Sequence, residues 1–563
     1  MPSSVPPHSS GHQACSASAY RSAHQAKGYP ATIIQRYIRE HGQPDETGIA
    51  TLATELQLPH SVVRSTLSYY ADYSDALTTD QLICDGTSCF LSRKDSKDAG
   101  HAPVAAKHVS CLGHCNHENN QLQNGSLHSA GTITDTGTGR VTVGPTPIHC
   151  LAAQPVTTRN LIDGQSAKLA TKPTTGISRS GYDVFRSALQ QPPKQIIETI
   201  TASGLRGRGG AAFPTGSKWQ ACATTEADQR YVIANGNEGD PGSYIDRILL
   251  EHDPHSIIEG MLLCGYAVGA NKGIVFIRSE YPQAAKIMQR AISEADDAGI
   301  FRTESFHFDL SVVHGAGSFV CGEETALINA IEGLRGEVRL RPPYPTEAGL
   351  FGKPTVVDNV ETLANVPFIL AKGAESYLKM GTSASPGTKT LCFNHGFTKP
   401  GIVEVEFGTS IQQAIDAVGG SKEPLAAILL GGPMGCVLTP DQWHIPLCYQ
   451  AMQERGLELG HGSIIALPKT ADKVALIRHW LTFMAKESCG KCEPCSLGSK
   501  QSRQIASQAI TADSRDQLED LLQLISQTSL CSFGREIPRA VSQLLNLFRS
   551  EIITPEIITP KSS

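Results

Sequence analysis

Three cysteines spaced two residues apart lie near the C-terminal end of the chain, at Cys489, Cys492 and Cys495, and Cys531 follows 36 residues later. Three thiolates at this spacing can converge on one side of a tight loop, and a fourth from a distant segment completes the set that an iron–sulfur cube needs. The alternatives are a structural zinc site with four cysteine ligands, or unconnected buried thiols. Because zinc sites usually pair two C-x2-C knuckles, the spacing favours a [4Fe–4S] cluster.

A second set of four cysteines lies in the N-terminal part of the chain. Cys84 and Cys89 form a C-x4-C pair, and Cys111 and Cys115 form a C-x3-C pair. Each pair can bind one side of a small cluster, and four thiolates suit [2Fe–2S]. Glycine within each pair lets backbone amides approach the sulfides, which tunes the potential of such a cluster. The sequence therefore predicts a second iron–sulfur site.

Length and composition limit the class of protein. The 563 residues predict three or four domains, and a net charge of −6 with dispersed lysine and arginine argues against a nucleic-acid partner. Sixteen cysteines are too few for a disulfide scaffold of this length, and their grouping indicates metal clusters in a reducing, cytoplasmic compartment. No run of 18 apolar residues occurs, so we expect no direct membrane insertion.

The N-terminal segments precede the first cysteine pair in an informative order. Residues 1–30 are rich in serine, histidine and proline, which predicts a disordered leader, and residues 31–73 show apolar residues at helical spacing. The segment Leu-Ser-Tyr-Tyr-Ala-Asp-Tyr at 67–73, then C-x4-C, then C-L-G-x-C resembles the thioredoxin-like iron–sulfur subunit of respiratory complex I. Only 21 residues separate Cys89 from Cys111, fewer than expected for that family. The resemblance implies a trimmed domain over residues 31–150, followed by a linker over residues 151–180.

Residues 204–219 form the most glycine-rich motif of the chain. Gly207, Gly209 and Gly210 lack side chains, so their backbone N–H groups can converge on an anion. Positive charge and flat apolar surface accompany them, from Arg206, Arg208, Lys218, Phe213 and Trp219. The spacing matches neither the Rossmann G-x-G-x-x-G fingerprint nor a Walker A loop. An ordinary glycine-rich turn is the alternative, but the charge pattern favours a cradle for an anionic ligand.

Three later segments place polar residues after buried or alternating apolar runs. Asn235, Asn237 and Glu238 follow the run at 231–234, where α/β folds place ligands. The loop at 314–325 ends in two carboxylates that favour a helix N-terminus or serve a ligand, and residues 352–362 return to the same region. Each segment alone is also compatible with a plain turn.

Taken in order, these motifs are specific. Residues 196–548 are similar to the flavin-carrying, NADH-binding subunit of complex I, which recurs in soluble NAD-linked hydrogenases and formate dehydrogenases. The resemblance implies an α/β multidomain chain: the thioredoxin-like [2Fe–2S] domain with its N-terminal helices, a Rossmann-like α/β FMN- and NADH-binding domain (181–385), a β-grasp (SLBB) domain acting as a spacer (386–455), and a C-terminal helical bundle with the [4Fe–4S] cluster (456–563). FMN and NAD(H) are the implied cofactors, besides the two clusters.

The resemblance also implies roles for individual residues. FMN is expected to bind at Gly207, Arg208, Gly209, Gly210, Lys218, Asn235, Asn237, Glu238, Asn359 and Thr362. NADH is expected to stack on Phe213 and to bind near Glu323, Glu324, Arg341 and Tyr344. Glu238 is expected to orient the reactants and act electrostatically. Asn237 stands where the family commonly has Asp, Arg341 where it has Lys, and Asp358 where it mostly has a second Asn. Because Asp358 brings a carboxylate to the pocket, it is left outside the predicted site.

The implied activity is an NAD(H)-dependent oxidoreductase, or diaphorase. NADH yields two electrons together whereas iron–sulfur clusters accept one at a time, so a flavin is the required converter, and its presence favours a cluster over zinc at the C-terminal cysteines. Fusion of the two parts in one chain indicates a soluble NAD-linked hydrogenase, whose iron–sulfur subunit and catalytic module are the expected partners. The alternatives are the beta subunit of NAD-dependent formate dehydrogenase, a fused complex I subunit, and a zinc-binding scaffold, which the cradle with Lys218 argues against.

Overall fold

The computed structural model describes residues 28–74, 81–93, 107–123, 126–130, 146–162 and 179–553. The predicted leader therefore lies outside the described residues except for its last three positions, as does most of the predicted linker. The described parts form a multidomain α/β chain with a helical C-terminal region, which confirms the predicted class. None of the helices within the described ranges combines the length and the apolar character needed to cross a membrane.

The N-terminal residues form helices, as their periodicity predicts: Pro30–His41, Glu46–Leu56, His60–Tyr69 and Ala71–Ser74. Their apolar faces are buried against the flank of the central sheet, together with Leu327 and Ile328. Tyr70 Oη donates a hydrogen bond to Leu334 O at 2.8 Å, and Gln35 Nε2 donates to His314 O at 2.9 Å. These helices are therefore packed on the unit that carries the glycine-rich motif.

A small sheet carries the first cysteine pairs. Its four strands lie in the order Lys107–Val109, Gln81–Cys84, Glu118–Gln123 and Ser126–Ala130. The first two strands are parallel and the remaining pairs are antiparallel. Helix Thr87–Ser92 follows the strand that ends at Cys84, so the cysteine pair spans a strand end and a helix start.

The central sheet consists of four parallel strands in the order Asp309–His314, Lys272–Ile277, Tyr231–Gly236 and Thr355–Asn359. Its inner strands are almost entirely buried, which explains their continuous apolar runs. The unit's helices are Asp183–Ala188, Pro193–Ala202, Thr215–Thr224, Ile245–His252, Pro254–Val268, Pro282–Asp297, Glu324–Ile331, Pro345–Ala348, Val360–Lys372 and Ala374–Leu378, with 3-10 turns at Arg179–Tyr182, Phe319–Gly322 and Leu350–Gly352.

The third sheet is mixed and has six strands. Their order is Cys436–Leu438, Leu425–Leu430, Ser463–Pro468, Thr388–Phe393, Ile402–Glu406 and Ile148–Cys150. The predicted range of 386–455 is too short, because a central strand begins at Ser463 and an edge strand comes from residue 148. Both strands lie outside the predicted range in sequence, so the local pattern within that range did not indicate them. The unit also contains helices Arg159–Ile162, Ile411–Ala417 and Tyr449–Gln453 and 3-10 turns Gly432–Met434 and Pro440–Gln442.

The C-terminal region is helical, as predicted, but begins after the mixed sheet. Its helices are Lys473–Glu487, Glu493–Ala506, Ala512–Thr528, Ser532–Leu547 and Arg549–Ile552. Asp472 caps the first of them by accepting from Ala475 N at 2.9 Å. Trp480 is buried in this bundle and donates through its indole N–H to Thr87 Oγ1 at 3.2 Å, so the bundle contacts the small N-terminal sheet unit.

Candidate active site

The carboxyl ends of the four parallel strands meet at one edge of the central sheet. Asn235 pairs with Asn359 across two adjacent strands, and Gly236 pairs with Ile277 on the other side. The loops that leave this edge carry most of the predicted site residues. In α/β folds this edge is the usual binding crevice, because helix N-termini and loop amides point into it.

Other backbone segments lie close to the glycine loop. A β-carbon on Gly207 would make van der Waals contact with the backbone of Phe213 at 3.7 Å, and one on Gly210 with the backbone of Gly460 at 3.5 Å. Gly210 also requires glycine because its φ is 109°. Gly209 packs against Asn359, whose Cβ would lie 3.1 Å from an added β-carbon. The loop therefore lies close against Phe213, Asn359 and Gly460, and its backbone N–H groups remain the candidates for binding an anionic group.

Arg208 is placed differently from the prediction. Its side chain is fully buried, and its guanidinium donates to Tyr377 Oη at 2.8 Å and to Pro386 O at 3.0 Å, above the ring of Phe407. Its backbone N–H donates to Thr362 Oγ1 at 2.8 Å. The bonds to Tyr377 and Pro386 both come from Nη2, and Nη1 donates to Arg206 O at 2.8 Å. Protein partners thus engage both terminal nitrogens, and the side chain braces the loop from behind.

Lys218 lies in a row of alternating charges, which we call the Lys218 chain: Asp358, Lys218, Glu324, Arg341 and Glu323. The Nζ atom of Lys218 is 3.3 Å from Asp358 Oδ1 and 3.8 Å from Glu324 Oε2. Burial disfavours the charge of Lys218, but the carboxylates of Asp358 and Glu324 outweigh it and raise its pKa above the usual value. The structure thus brings Asp358, which the sequence analysis left out, into direct contact with a predicted flavin residue.

The other end of the Lys218 chain carries the predicted NADH residues. Arg341 donates to Glu324 Oε1 at 3.0 Å and also pairs with Glu323. Glu323 caps helix Glu324–Ile331 by accepting from Ala326 N at 2.9 Å. Phe213 and Tyr344 are about half exposed, at 53% and 52%. Exposed aromatic rings offer a surface on which a nucleotide can stack.

The predicted asparagines brace the strand-end loop. Asn235 Nδ2 donates to Gly322 O at 2.8 Å, and Asn235 Oδ1 accepts from Asn237 N at 3.1 Å. Asn237 Nδ2 reaches the carbonyl oxygens of Ser318 and Phe319, both at 3.4 Å. These contacts hold the loop after the strand Tyr231–Gly236 against the loop at 318–322, so the two polar loops form one wall.

Glu238 belongs to a buried group that the sequence did not reveal. His461 lies between two carboxylates: its Nδ1 is 3.4 Å from Glu238 Oε1, and its Nε2 is 3.3 Å from Asp246 Oδ2. We call Glu238, His461 and Asp246 the His461 triad; none of these side chains is more than 9% exposed. Glu238 also accepts from Arg247 N at 3.0 Å, at the start of helix Ile245–His252.

The charges of the His461 triad depend on one another. Burial alone would lower the pKa of His461, but the carboxylates of Asp246 and Glu238 raise it to about 10. Burial raises the pKa of Asp246 to about 6 against the opposing effect of His461. Burial also favours protonation of Glu238, but its hydrogen bond and charge interaction with His461 hold its pKa below the usual value. His461 is therefore an imidazolium at neutral pH.

The mixed sheet contacts the glycine loop and the His461 triad, whereas the sequence analysis assigned it only a spacer role. His461 precedes the strand Ser463–Pro468, and its neighbour Gly460 lies against Gly210. Tyr449 Oη donates to Gly207 O at 3.2 Å. Asn359 Nδ2 lies 3.1 Å from His461 Nε2 and donates to Asp246 Oδ2 at 2.7 Å. The mixed sheet thus supports the glycine loop from the side opposite to the Lys218 chain.

The four N-terminal cysteines converge in a fully buried position. Cys111 Sγ and Cys115 Sγ are 3.5 Å apart, and Cys84 is within hydrogen-bonding reach of Cys89 and Cys111. Cys111 Sγ accepts from Gly113 N at 3.3 Å. Hydrogen bonds from Cys115 and Cys84 hold the pKa of Cys111 well below the usual thiol value despite its burial. The set fits a small cluster, because the thiolate is the form that binds iron.

The C-terminal cysteines meet at a helix junction. Cys531 is the N-cap of helix Ser532–Leu547, and a β-carbon on Gly534 of that helix would lie 3.2 Å from Cys495 Cβ. Among the residues that the structure describes, these thiols do not form a group within 4.8 Å of one another. Cys492 is the partly exposed member of the set.

Two buried side chains outside the predicted set connect these regions. Glu487 accepts from Ser110 Oγ at 2.5 Å and from Phe319 N at 3.0 Å, just before Cys489. Arg278 donates to Cys111 O at 3.0 Å and also contacts Glu238 O. The two cysteine sites are therefore both joined to the wall that these two polar loops form, which no local sequence pattern indicates.

Comparisons with known proteins agree with this architecture. Residues 200–368 match the family model described as the Nuo51 FMN-binding domain, and residues 475–554 match the NADH-ubiquinone oxidoreductase-F iron-sulfur binding region. The first match covers the glycine loop, the Lys218 chain and most of the strand-end loops, and the second covers all four C-terminal cysteines. The chain thus has an FMN-binding domain and a [4Fe–4S] binding region.

Individual relatives extend the match. The NADP-reducing hydrogenase subunit HndC of Solidesulfovibrio fructosivorans is 38% identical over 67% of this chain and 79% of its own length. An NADH-quinone oxidoreductase subunit of Escherichia coli is 41% identical over 57% of this chain and 74% of its own length. A chain in the crystal structure of NAD+-reducing [NiFe]-hydrogenase in the H2-reduced state superposes with a TM-score of 0.81 at 27% identity, covering 94% of both chains. The chain therefore belongs to the family of flavin- and iron–sulfur-binding oxidoreductase subunits that includes HndC and this NADH-quinone oxidoreductase subunit.

Proposed function

We propose that the chain is the diaphorase subunit of a soluble NAD-linked hydrogenase-type complex, exchanging electrons between NAD(H), FMN and iron–sulfur clusters. The observation that carries this proposal is the structural match to a chain of an NAD+-reducing [NiFe]-hydrogenase over 94% of both chains. The geometry of one crevice flanked by two cysteine sites supports it.

The structural match to the hydrogenase chain favours the hydrogenase type. It spans 94% of this chain, so it extends well beyond the residues of the two family models. The matches to the two family models begin at residue 200, so the cysteines of the small N-terminal sheet lie outside them. A diaphorase subunit that carries both cysteine sites in one chain fits the hydrogenase type best.

The residues present fit FMN at the crevice. Gly207, Gly209, Gly210, Lys218 and the Asn359–Thr362 helix start would hold it, since they combine a glycine loop, a cation and a helix N-terminus. When bound, FMN accepts the two electrons of NADH together and releases them singly. The protein's own contribution is to bind, orient and shield.

The side chains divide this work between the two walls. The exposed ring of Phe213 would offer a stacking face for the nicotinamide nucleotide, and Arg341 holds Glu323 and Glu324 in place. Glu238 is buried and bonded to backbone amides, so it contributes orientation and charge rather than proton transfer. No acid–base group is needed where electrons move as a pair with hydrogen.

The cysteine sites would serve as one-electron carriers. Cys84, Cys89, Cys111 and Cys115 would hold the [2Fe–2S] cluster, completely enclosed by protein. Cys489, Cys492, Cys495 and Cys531 would hold the [4Fe–4S] cluster, and the partial exposure of Cys492 makes it the exit toward an iron–sulfur partner subunit and a catalytic module.

A spectrum of the purified protein tests the activity. Flavin absorbance that bleaches on addition of NADH supports the proposal, whereas a colourless protein with stoichiometric zinc would reject it. The metals of the native complex decide between its types: nickel supports the hydrogenase, and molybdenum or tungsten instead would identify the formate dehydrogenase beta subunit.

The exit route is tested by Cys492→Ser. We expect NADH to bleach the flavin at an unchanged rate, while electron transfer to the native partner falls at least tenfold because a cluster ligand is lost. Cys448→Ser is the matched control, since Cys448 lies outside both cysteine sets and contacts Ser385 and Thr382. Unchanged turnover of Cys492→Ser with the native partner would contradict the cluster assignment.

A further inference from the structure

His461 is a buried cation of the crevice that has no role in the proposed electron transfer as described above. It stands between two glycines, at the junction of the mixed sheet and the glycine loop. Its imidazole is buried, and its two nitrogens face two different carboxylates, Glu238 and Asp246. A buried charge is tolerated only where it is paired and hydrogen-bonded. The two carboxylates meet this condition for His461, so its positive charge is fixed at one position.

The three ligand atoms of the His461 triad lie within 4.8 Å of one another, close enough to share a cation. Both imidazole nitrogens already have protein partners, however. Nδ1 contacts Ser243 Oγ, and Nε2 lies 3.3 Å from Asp246 Oδ2. The arrangement is that of an imidazolium which itself supplies the positive charge, rather than that of an open coordination site.

The charge is one contact away from the predicted flavin residues. Asn359 touches His461 with its amide and packs under Gly209 with its β-carbon. Gly460, adjacent to His461, lies against Gly210. The imidazolium therefore sits directly behind the loop that cradles the ligand. In a site closed to water, a fixed charge at such a distance acts with little screening.

We propose that His461 is a positioning residue of the flavin site, which holds in place Glu238 and Asp246, the acceptor of Asn359 Nδ2, and stabilises the more negative, reduced form of bound FMN. The inference rests on the proposed function, because FMN is the group on which the charge acts. The mixed sheet would then have a specific role, which is to hold a positive charge close to the glycine loop.

The groups that face His461 decide its charge. Glu238 and Asp240 come from the loop after the strand Tyr231–Gly236, and Asp246 comes from helix Ile245–His252. Behind Gly462, Lys389 and Glu361 pair with each other at 2.5 Å. Acidic groups therefore outnumber cations around the imidazole, which favours its protonated form.

The test compares full-length wild type, His461→Gln and His461→Lys, each loaded with FMN. His461→Gln should lower the preference for reduced over oxidised FMN about tenfold, which is about 30 mV for a two-electron couple. His461→Lys should restore most of this preference, because it returns the charge. The midpoint potential is read by spectroelectrochemical titration, and FMN affinity of the apoprotein by fluorescence quenching.

His255→Gln is the matched control. His255 is also largely buried and contacts Tyr182 and Glu294, away from the crevice, and burial holds its pKa below the usual value. Its substitution should leave the midpoint potential unchanged. Should His461→Gln fail to fold, His461→Lys still decides, because a potential more than about 30 mV below wild type in that folded, charged variant overturns the proposal.

The outcomes separate the inference from the proposed function. Wild type that takes up no FMN, or whose flavin is not bleached by NADH, rejects the function itself. Wild type that does both, together with a His461→Gln potential indistinguishable from it, rejects the role of His461 alone. A drop in potential that His461→Lys reverses supports the role.

Discussion

The Lys218 chain and the His461 triad flank the same glycine loop, yet they meet solvent very differently. The chain is partly open, with Arg341 31% exposed at its outer end. The triad is closed, and its most exposed member is His461 at 9%. Both contain one more carboxylate than cation. The two groups therefore carry the same formal charge. Solvent can screen it in the Lys218 chain, whereas in the His461 triad only protein groups surround it.

The difference in exposure affects how each group of charges accommodates its surplus carboxylate. In the open Lys218 chain, water can screen the surplus carboxylate, so the chain can exchange partners with an incoming nucleotide. In the closed triad the surplus must be settled internally, which holds a proton on His461 and raises the pKa of Asp246 to about 6. We call the Lys218 chain the open wall and the His461 triad the closed wall. The open wall suits substrate exchange, and the closed wall suits a fixed charge.

The largest expected effect comes from reversing the cation of the open wall. Lys218→Glu would place a third carboxylate beside Asp358 and Glu324. We expect FMN affinity to fall by at least about a hundredfold, because losing a buried charge pair at an interface costs about 2–5 kcal/mol. The dissociation constant is measured by fluorescence of released flavin.

Lys379→Glu provides the control for this substitution, since it makes the same charge change at an exposed position. It should leave FMN affinity within twofold of wild type. Full retention of FMN by Lys218→Glu would mean that the cradle lies elsewhere, and the comparison of the two walls would lose its meaning.

Alkaline pH should separate the two walls. The pKa of His461 rises from its ordinary 6.5 to about 10 on folding, so its contribution to the free energy of unfolding is complete below pH 6.5 and disappears as pH rises toward 10. The pKa of Lys218 is raised above 10.5, so its contribution persists through this range. We expect the apoprotein to lose up to about 1.4 kcal/mol per pH unit from His461.

Urea unfolding of the apoprotein at several pH values between 7 and 10 measures this loss. His461→Gln should show a shallower decline than wild type. Asp240, whose pKa burial raises to about 8, adds a decline below pH 8 in both proteins. Parallel curves for wild type and His461→Gln above pH 8 would show that the closed wall carries no titrating charge.

The sequence could predict one wall better than the other for a physical reason. The glycine loop, the cysteine spacings and the strand ends are local patterns, so their residue types and order were sufficient. His461 lies 102 residues from Asn359, in a Gly-His-Gly segment without a motif. Only the insertion of the strand Ser463–Pro468 into the middle of the mixed sheet brings it to the loop. The two glycines that flank His461 are the one local feature that could have drawn attention to it.

Asp358 shows a different limit of sequence reasoning. A carboxylate near an anionic ligand looks unfavourable in isolation, and this excluded it from the predicted site. The structure pairs it with Lys218 and with the indole N–H of Trp219 at 2.8 Å. Arg208 shows the converse, since a cation inside the glycine loop faces the opposite direction and binds Tyr377. Side-chain direction depends on packing that residue type alone does not specify.

The smallest expected effect tests whether Asp358 restrains Lys218. Asp358→Asn keeps an oxygen that can accept from Trp219 but removes the charge 3.3 Å from Lys218 Nζ. The freed ammonium should bind FMN about threefold more tightly, a change of about 0.7 kcal/mol, typical of a partly exposed ion pair. Titration of the apoprotein with FMN measures it, with Asp228→Asn, at an exposed pair with Lys353, as the control. Weaker FMN binding by Asp358→Asn would show that Asp358 orients Lys218 more than it neutralises it, and the open wall would then be as rigidly ordered as the closed one.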